Sequence, residues 1–96
     1  MAKLKNVHPG EVLFNDFLEP LGISQNKLAN RIFVPPRRVN EIVLGKRSVT
    51  ADPALRLSRY FGNSDKFWMG LQSDYDLEDS RHKIAGALEK ISSHAV

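Results

Sequence analysis

The sequence predicts an all-α fold of five helices plus a C-terminal sixth, and three observations carry that reading. Apolar residues recur at helical spacing: Leu13/Phe17 and Phe14/Leu18 at i,i+4, and Ile84, Leu88 and Ile91 at i,i+4,i+7. Helix punctuation recurs as well, with Ser24, Thr50 and Ser64 placed as N-caps and Gly45 and Gly62 as stops. No segment alternates at period two over the length of a strand.

Taken in order, residues 1–7 read as a loose arm and His8-Pro9-Gly10 as a turn. Pro9 can open a helix there because the first helical residue needs no amide donor. The stretch Glu11–Glu19 is amphipathic, with Pro20 expected to end it and Leu21 expected to pack inward. Ser24 caps a helix of about two turns whose buried side is Leu28, Ala29 and Ile32. Pro35 then takes a cap position and Pro36 the first turn of a second short helix, since a residue before proline is pushed out of the helical region. Val39, Ile42 and Val43 form that helix's inner stripe, and Gly45 stops it. Thr50 opens a fourth helix that closes at Gly62. Ser64 opens a fifth carrying Phe67, Trp68 and Leu71. The acidic run Asp74–Asp79 reads as a helix-compatible junction, followed by a last helix that frays by Ser92. The expected organisation is an N-terminal arm over 1–7, a domain over 8–77 with its helix-turn-helix at 24–44, and a C-terminal helix over 78–96 suited to dimerisation.

A chain of 96 residues suffices for one small core, a size at which pairing often adds stability. The absence of cysteine excludes disulfide staples and thiolate metal sites. No run approaches the roughly 18 to 20 apolar residues of a membrane span, and the first dozen residues lack the apolar stretch of a signal peptide, so the expected location is the cytoplasm. The net charge of +3 is unevenly spread. Residues 24–60 hold eight Lys/Arg against Glu41 and Asp52, a net +6, between mildly acidic flanks. A positive centre of this kind suits a phosphate backbone, although a solvated basic helix surface would look the same from charge alone.

The stretch from Ser24 to Arg47 has the form of a helix-turn-helix, in which the first helix crosses the DNA backbone and the second enters the major groove N-terminus first. Gln25 and Asn26, at the exposed start of the first helix, suit phosphate contacts. Arg37 and Arg38 open the second helix, where a guanidinium can pair bidentately with guanine. Asn40 suits adenine or a phosphate, and Glu41 can accept from cytosine or orient an arginine. Lys46 and Arg47, just past the helix, suit phosphates, and because Pro35 has no side-chain oxygen to cap the helix, its free amides could serve a phosphate. Taken singly each of these residues is equally well a solvent-exposed polar position; the set at these spacings favours DNA.

The same residues resemble the phage-repressor (XRE-type) helix-turn-helix, and more closely the HigA antitoxin branch, also called VapI-like. The resemblance is carried by HPGEVL at His8–Leu13, FLEPLGISQNKLA at Phe17–Ala29, VPPRRVNEIVLGKRSVTADPALRLSRYFGNS at Val34–Ser64 and FWMGLQSDYDL at Phe67–Leu77. It implies a five-helix repressor-like domain with an added C-terminal helix, acting as a cytoplasmic, homodimeric, DNA-binding antitoxin. Such a protein neutralises a HigB toxin, a RelE-like mRNA endonuclease, and represses its own operon. One departure stands out: the family usually has glycine in the turn where this chain has Phe33. Either the turn is shaped differently, or Phe33 accepts a left-handed conformation in order to bury its ring, at about 1 kcal/mol or more.

Other sites are weaker. His8, His82 and His94 form no ligand pair, the acidic run lacks the glycine and spacing of a calcium loop, and no phosphate loop or nucleophile motif occurs, so neither metal nor cofactor nor catalysis is expected. Trp68 fits either the core, with Phe67 and Leu71, or a dimer seam shared with Ile84, Leu88 and Ile91. Two alternatives to an antitoxin stand beside it: a stand-alone XRE-family regulator, and a protein-interaction module that keeps the helix-turn-helix as scaffold and acts by occluding a partner.

Overall fold

A computed structural model describes residues 5–94 as six helices with no strand among them. The first, α1, is a continuous rod in three parts: α-helical Pro9–Val12, π-helical Leu13–Leu18 and α-helical Glu19–Leu21. His8 caps it, its Nδ1 accepting the Gly10 amide at 2.9 Å. In the π segment the Glu19 amide reaches back five residues to the Phe14 carbonyl.

This wide turn explains three departures from the sequence reading. Leu13 and Leu18, five residues apart, both reach the core, while Phe14 turns outward. Pro20 does not end the helix. A proline ring ordinarily collides with the carbonyl four residues back, and the π turn moves that carbonyl aside. The rod therefore runs on to Leu21, which is exposed rather than packed inward, and stops at the left-handed Gly22.

Helices α2 (Gln25–Ile32) and α3 (Pro36–Val43) form the helix-turn-helix. Leu28, Ala29 and Ile32 of α2 and Val39 and Ile42 of α3 are buried, as their spacing predicts. Gly45, at φ +75°, ends α3 in a Schellman motif: the Lys46 amide donates to the Glu41 carbonyl at 2.8 Å and the Gly45 amide to Ile42 at 3.0 Å. α1 crosses α3 closely at Gly10, where any Cβ would collide with the Ile42 carbonyl. That glycine is needed for close approach, not only for a turn.

Helix α4 (Ala51–Phe61) packs on α5 (Asp65–Lys83). Between them and α1 lies an aromatic core, with the Phe17 ring 4.8 Å from Phe61 and 5.1 Å from Trp68. Trp68 is 0 % exposed and donates its indole N–H to Asn63 Oδ1 at 2.9 Å. A side chain so enclosed has no surface left for a partner subunit, so Trp68 belongs to the core and leaves the expected seam. Gln72, also buried, accepts the Val49 amide at 2.7 Å and so ties α5 to the loop that follows α3.

The acidic run Asp74–Asp79 is not a junction. It lies within α5, where Glu78 pairs with Arg81 at 2.8 Å and Asp79 with Lys83 at 2.8 Å, one helical turn away. The break comes later, at Ile84, and α6 (Ala85–Lys90) follows. A boundary between 77 and 78 therefore cuts a continuous helix. Of the expected arm, residues 1–4 lie outside the described residues. Lys5 pairs with Glu11 at 2.6 Å and Asn6 donates to the Tyr75 carbonyl at 3.1 Å, so this part is fastened to the domain.

Candidate nucleic-acid interface

Ser24 caps α2 by accepting the Lys27 amide at 3.0 Å, which fixes Gln25 at the exposed N-terminal end. From there Gln25 Oε1 accepts from Asn40 Nδ2 of α3 at 2.6 Å. Two residues read separately in the sequence, one toward phosphate and one toward a base, are thus joined. Gln25 keeps its own amide donors and Asn40 keeps a second amide hydrogen and its carbonyl oxygen, so both retain the groups they would offer DNA. The bond aligns the entry of α2 with the outer face of α3. Asn26 is exposed beside it.

At the start of α3 the two arginines part company. Arg37 projects outward, its side chain 87 % exposed, with Nε 3.3 Å from Glu41 Oε2. Arg38 leans back toward α4, with NH1 3.7 Å from Asp52 Oδ1. Asp52 in turn accepts from Arg56 Nε at 2.6 Å. The free amides expected at this helix start are also fewer, because the Arg38 amide already donates to the Pro35 carbonyl at 3.0 Å.

Glu41 is the electrostatic centre of the face. One carboxylate oxygen takes Arg47, at 3.1 Å from Nε, and the other takes Arg37. The Arg47 hydrogen bond, with the Arg37 charge behind it, holds this carboxyl below the usual carboxylate range. Arg56, then Arg38, does the same for Asp52. Both acids lie at the surface, so these ties orient arginines more than they stabilise the fold. Lys46 is exposed, with no ion-pair partner among the described residues.

Two residues that the sequence does not mark for DNA contact, one of them read only as a helix cap, lie beside these arginines. Ser48 and Thr50 line a hollow of about 300 Å³ together with Arg38, Arg47 and Asp52. Thr50 occupies the N-cap position of α4, yet its side chain makes no capping bond, which leaves the hydroxyl available. The signal was present as a hydroxyl pair directly after Lys46-Arg47, but a cap residue ordinarily has its oxygen engaged.

The turn carries a correction of its own. Phe33 takes the left-handed conformation, φ +60° and ψ +48°, where a glycine would sit without strain. Its ring is nonetheless 86 % exposed. The strained conformation is the one expected, but burial of the ring is not its reason. Arg56 secures it by donating to the Ile32 and Phe33 carbonyls at 2.7 and 3.2 Å.

A capped helix that delivers an amide pair onto a second helix, itself led by an outward arginine and closed by a glycine, defines a helix-turn-helix protein of the DNA-binding class. The Helix-turn-helix family profile matches residues 16–68. The chain is 49% identical to Virulence-associated protein I of Dichelobacter nodosus over 75% of its own length and 67% of the relative's. It is 36% identical to Antitoxin HigA-1 of Vibrio cholerae over 85% of its length and 77% of that protein. Among solved structures, Pseudomonas aeruginosa antitoxin HigA with the higBA promoter superposes with a TM-score of 0.90 at 38% identity, covering 96% of this chain and 100% of that one. The chain belongs to the helix-turn-helix family, in its HigA (VapI-like) antitoxin branch. No helix among the described residues is long and apolar enough to cross a membrane.

Proposed function

We propose that the chain is a cytoplasmic, homodimeric antitoxin that binds an operator through the α2–α3 face, represses its own operon and neutralises a HigB-like toxin, a RelE-like mRNA endonuclease. The observation that carries the DNA half of this reading is the joined Gln25–Asn40 pair beside an outward Arg37, a geometry that fits a phosphate contact and base readout in one approach. The Pseudomonas aeruginosa relative, solved with its promoter, supports it. In this reading Arg37 reads bases, with Asn40 buttressed by Gln25 and Glu41 positioning the guanidinium. Arg38, drawn toward Asp52, contributes from the side of the hollow. Lys46, Arg47 and Asn26 contact phosphates.

Dimerisation is supported by the C-terminal stripe. Ile84, Leu88 and Ile91 are 48, 44 and 69 % exposed on a helix end that the protomer core does not cover. Two-fold pairing there would set two recognition helices about one turn of DNA, ~34 Å, apart on a palindrome.

The test is fluorescence anisotropy on the native upstream operator and a scrambled duplex at matched salt. Arg37→Ala is expected to lose about 1–3 kcal/mol of discrimination while still binding both duplexes. Lys46→Ala is expected to weaken both alike and to reduce the salt slope by about 1. If both variants bind like the parent, the interface lies elsewhere. Co-elution with a HigB-type toxin on size exclusion tests the antitoxin half independently of DNA.

A further inference from the structure

Phe33 holds a backbone conformation that costs an L-residue about 1 kcal/mol or more, and its exposed ring gains no burial within this protomer to offset it. The ring forms one wall of an open groove of about 510 Å³ between the end of α2 and the side of α4. Its apolar surface comes from Ile32, Phe33, Leu55 and Tyr60, with Leu55 also more than half exposed. Its rim is cationic: Arg31 and Arg59 have no ion-pair partner among the described residues, and Arg56 fixes the turn from below. By helical angle Arg31 and Asn26 lie on opposite flanks of the buried stripe of α2, so the groove is set off from the Asn26 side.

We propose that this groove docks a segment of a partner protein that presents a bulky apolar side chain flanked by carboxylates. The unpaired arginines select acidic flanks, and the apolar floor selects the side chain. A phosphodiester backbone would satisfy Arg31 and Arg59 but leave Phe33 and Leu55 uncovered, which favours protein over DNA as the occupant.

The probe is a synthetic peptide of roughly 14 residues with Phe and Leu at helical spacing among glutamates, compared with its lysine-for-glutamate counterpart, in amide NMR titrations of the full chain. Phe33→Gly removes the ring and relieves the positive φ, so its melting temperature is expected not to fall. The acidic peptide should shift the amides of Ile32–Val34 and Leu55–Tyr60 saturably. The lysine peptide, Phe33→Gly and the Arg31→Glu/Arg59→Glu pair should each weaken binding at least about tenfold. Operator affinity of Phe33→Gly should match the parent. The proposal is overturned by equal binding of both peptides, by undiminished binding to Phe33→Gly, by shifts confined to another surface, or by no saturable shift up to about 1 mM. It is equally overturned if operator DNA shifts these same amides, or if Phe33→Gly dissociates a dimer in sedimentation, which would make a second copy the occupant.

Discussion

His8 shows how a single side chain can serve the fold in one protonation state only. Its Nδ1 accepts the Gly10 amide, its ring meets Tyr75 edge-on at 4.9 Å, and it lies beside Gly45 at the end of the recognition helix. Burial holds the imidazole below its ordinary value of 6.5, against the opposing pull of Glu11 and Asp76. The folded state therefore binds fewer protons than the unfolded chain, and stability rises with pH through this window. The contribution is complete above 6.5 and falls away as the pH drops toward the lowered folded value. Glu11, Glu41 and Asp52, all held below their ordinary values, act in a separate and more acidic window, their contributions disappearing as the pH falls through the lowered carboxylate range. Melting temperature is accordingly expected to decline as the pH falls below about 6.5. His8→Asn keeps a capping oxygen but does not titrate, and should flatten that decline.

At the scale of elements, the recognition helix is governed by an acid it carries itself. Glu41 holds Arg37 on one side and Arg47 on the other, so an approaching phosphate must compete for both. Glu41→Gln removes one negative charge from the face proposed to meet phosphates. Binding to a scrambled duplex should tighten roughly fivefold and the preference for operator should shrink, as read by anisotropy at two salt concentrations. An unchanged preference would assign Glu41 to helix stability alone. How far these elements were legible follows from the kind of signal each one needs. The caps at Ser24 and Ser64, the Pro35-Pro36 start and the Gly45 stop are local backbone chemistry and can be read from adjacent residues. The π turn cannot be, because Pro20 reads as a terminator unless the carbonyl four residues back is known to have moved. Nor could the sequence show that Arg38 turns toward Asp52, that Gln25 meets Asn40 across 15 positions, or that Arg56 reaches back to the α2–α3 turn. Those contacts depend on how helices cross.

At the scale of the whole molecule, the 51 × 31 × 21 Å envelope is elongated, and from Ser80 to His94 every residue is exposed. A protomer core that ends so early leaves the α5–α6 extension with apolar side chains and no cover, which is why the proposed pairing is placed at this end. Ile84→Glu combined with Leu88→Glu should shift sedimentation toward the monomer while leaving the aromatic core intact. Operator binding should then fall by about 100-fold or more as the second half-site contact is lost, with half-site binding retained. A double variant that remains dimeric would place the seam elsewhere.

The same aromatic core gives the protein an internal optical gauge. Trp68 is the chain's one tryptophan, sealed among Phe17, Phe61 and Phe67 and hydrogen-bonded to Asn63. Its emission should be blue-shifted and shielded from quenchers in the native state, and should move to the red when the packing of α1, α4 and α5 is lost. Because the indole lies off the α2–α3 face, unfolding can be followed without a label while DNA is titrated, and a loss of operator binding can be separated from a loss of structure in one cuvette.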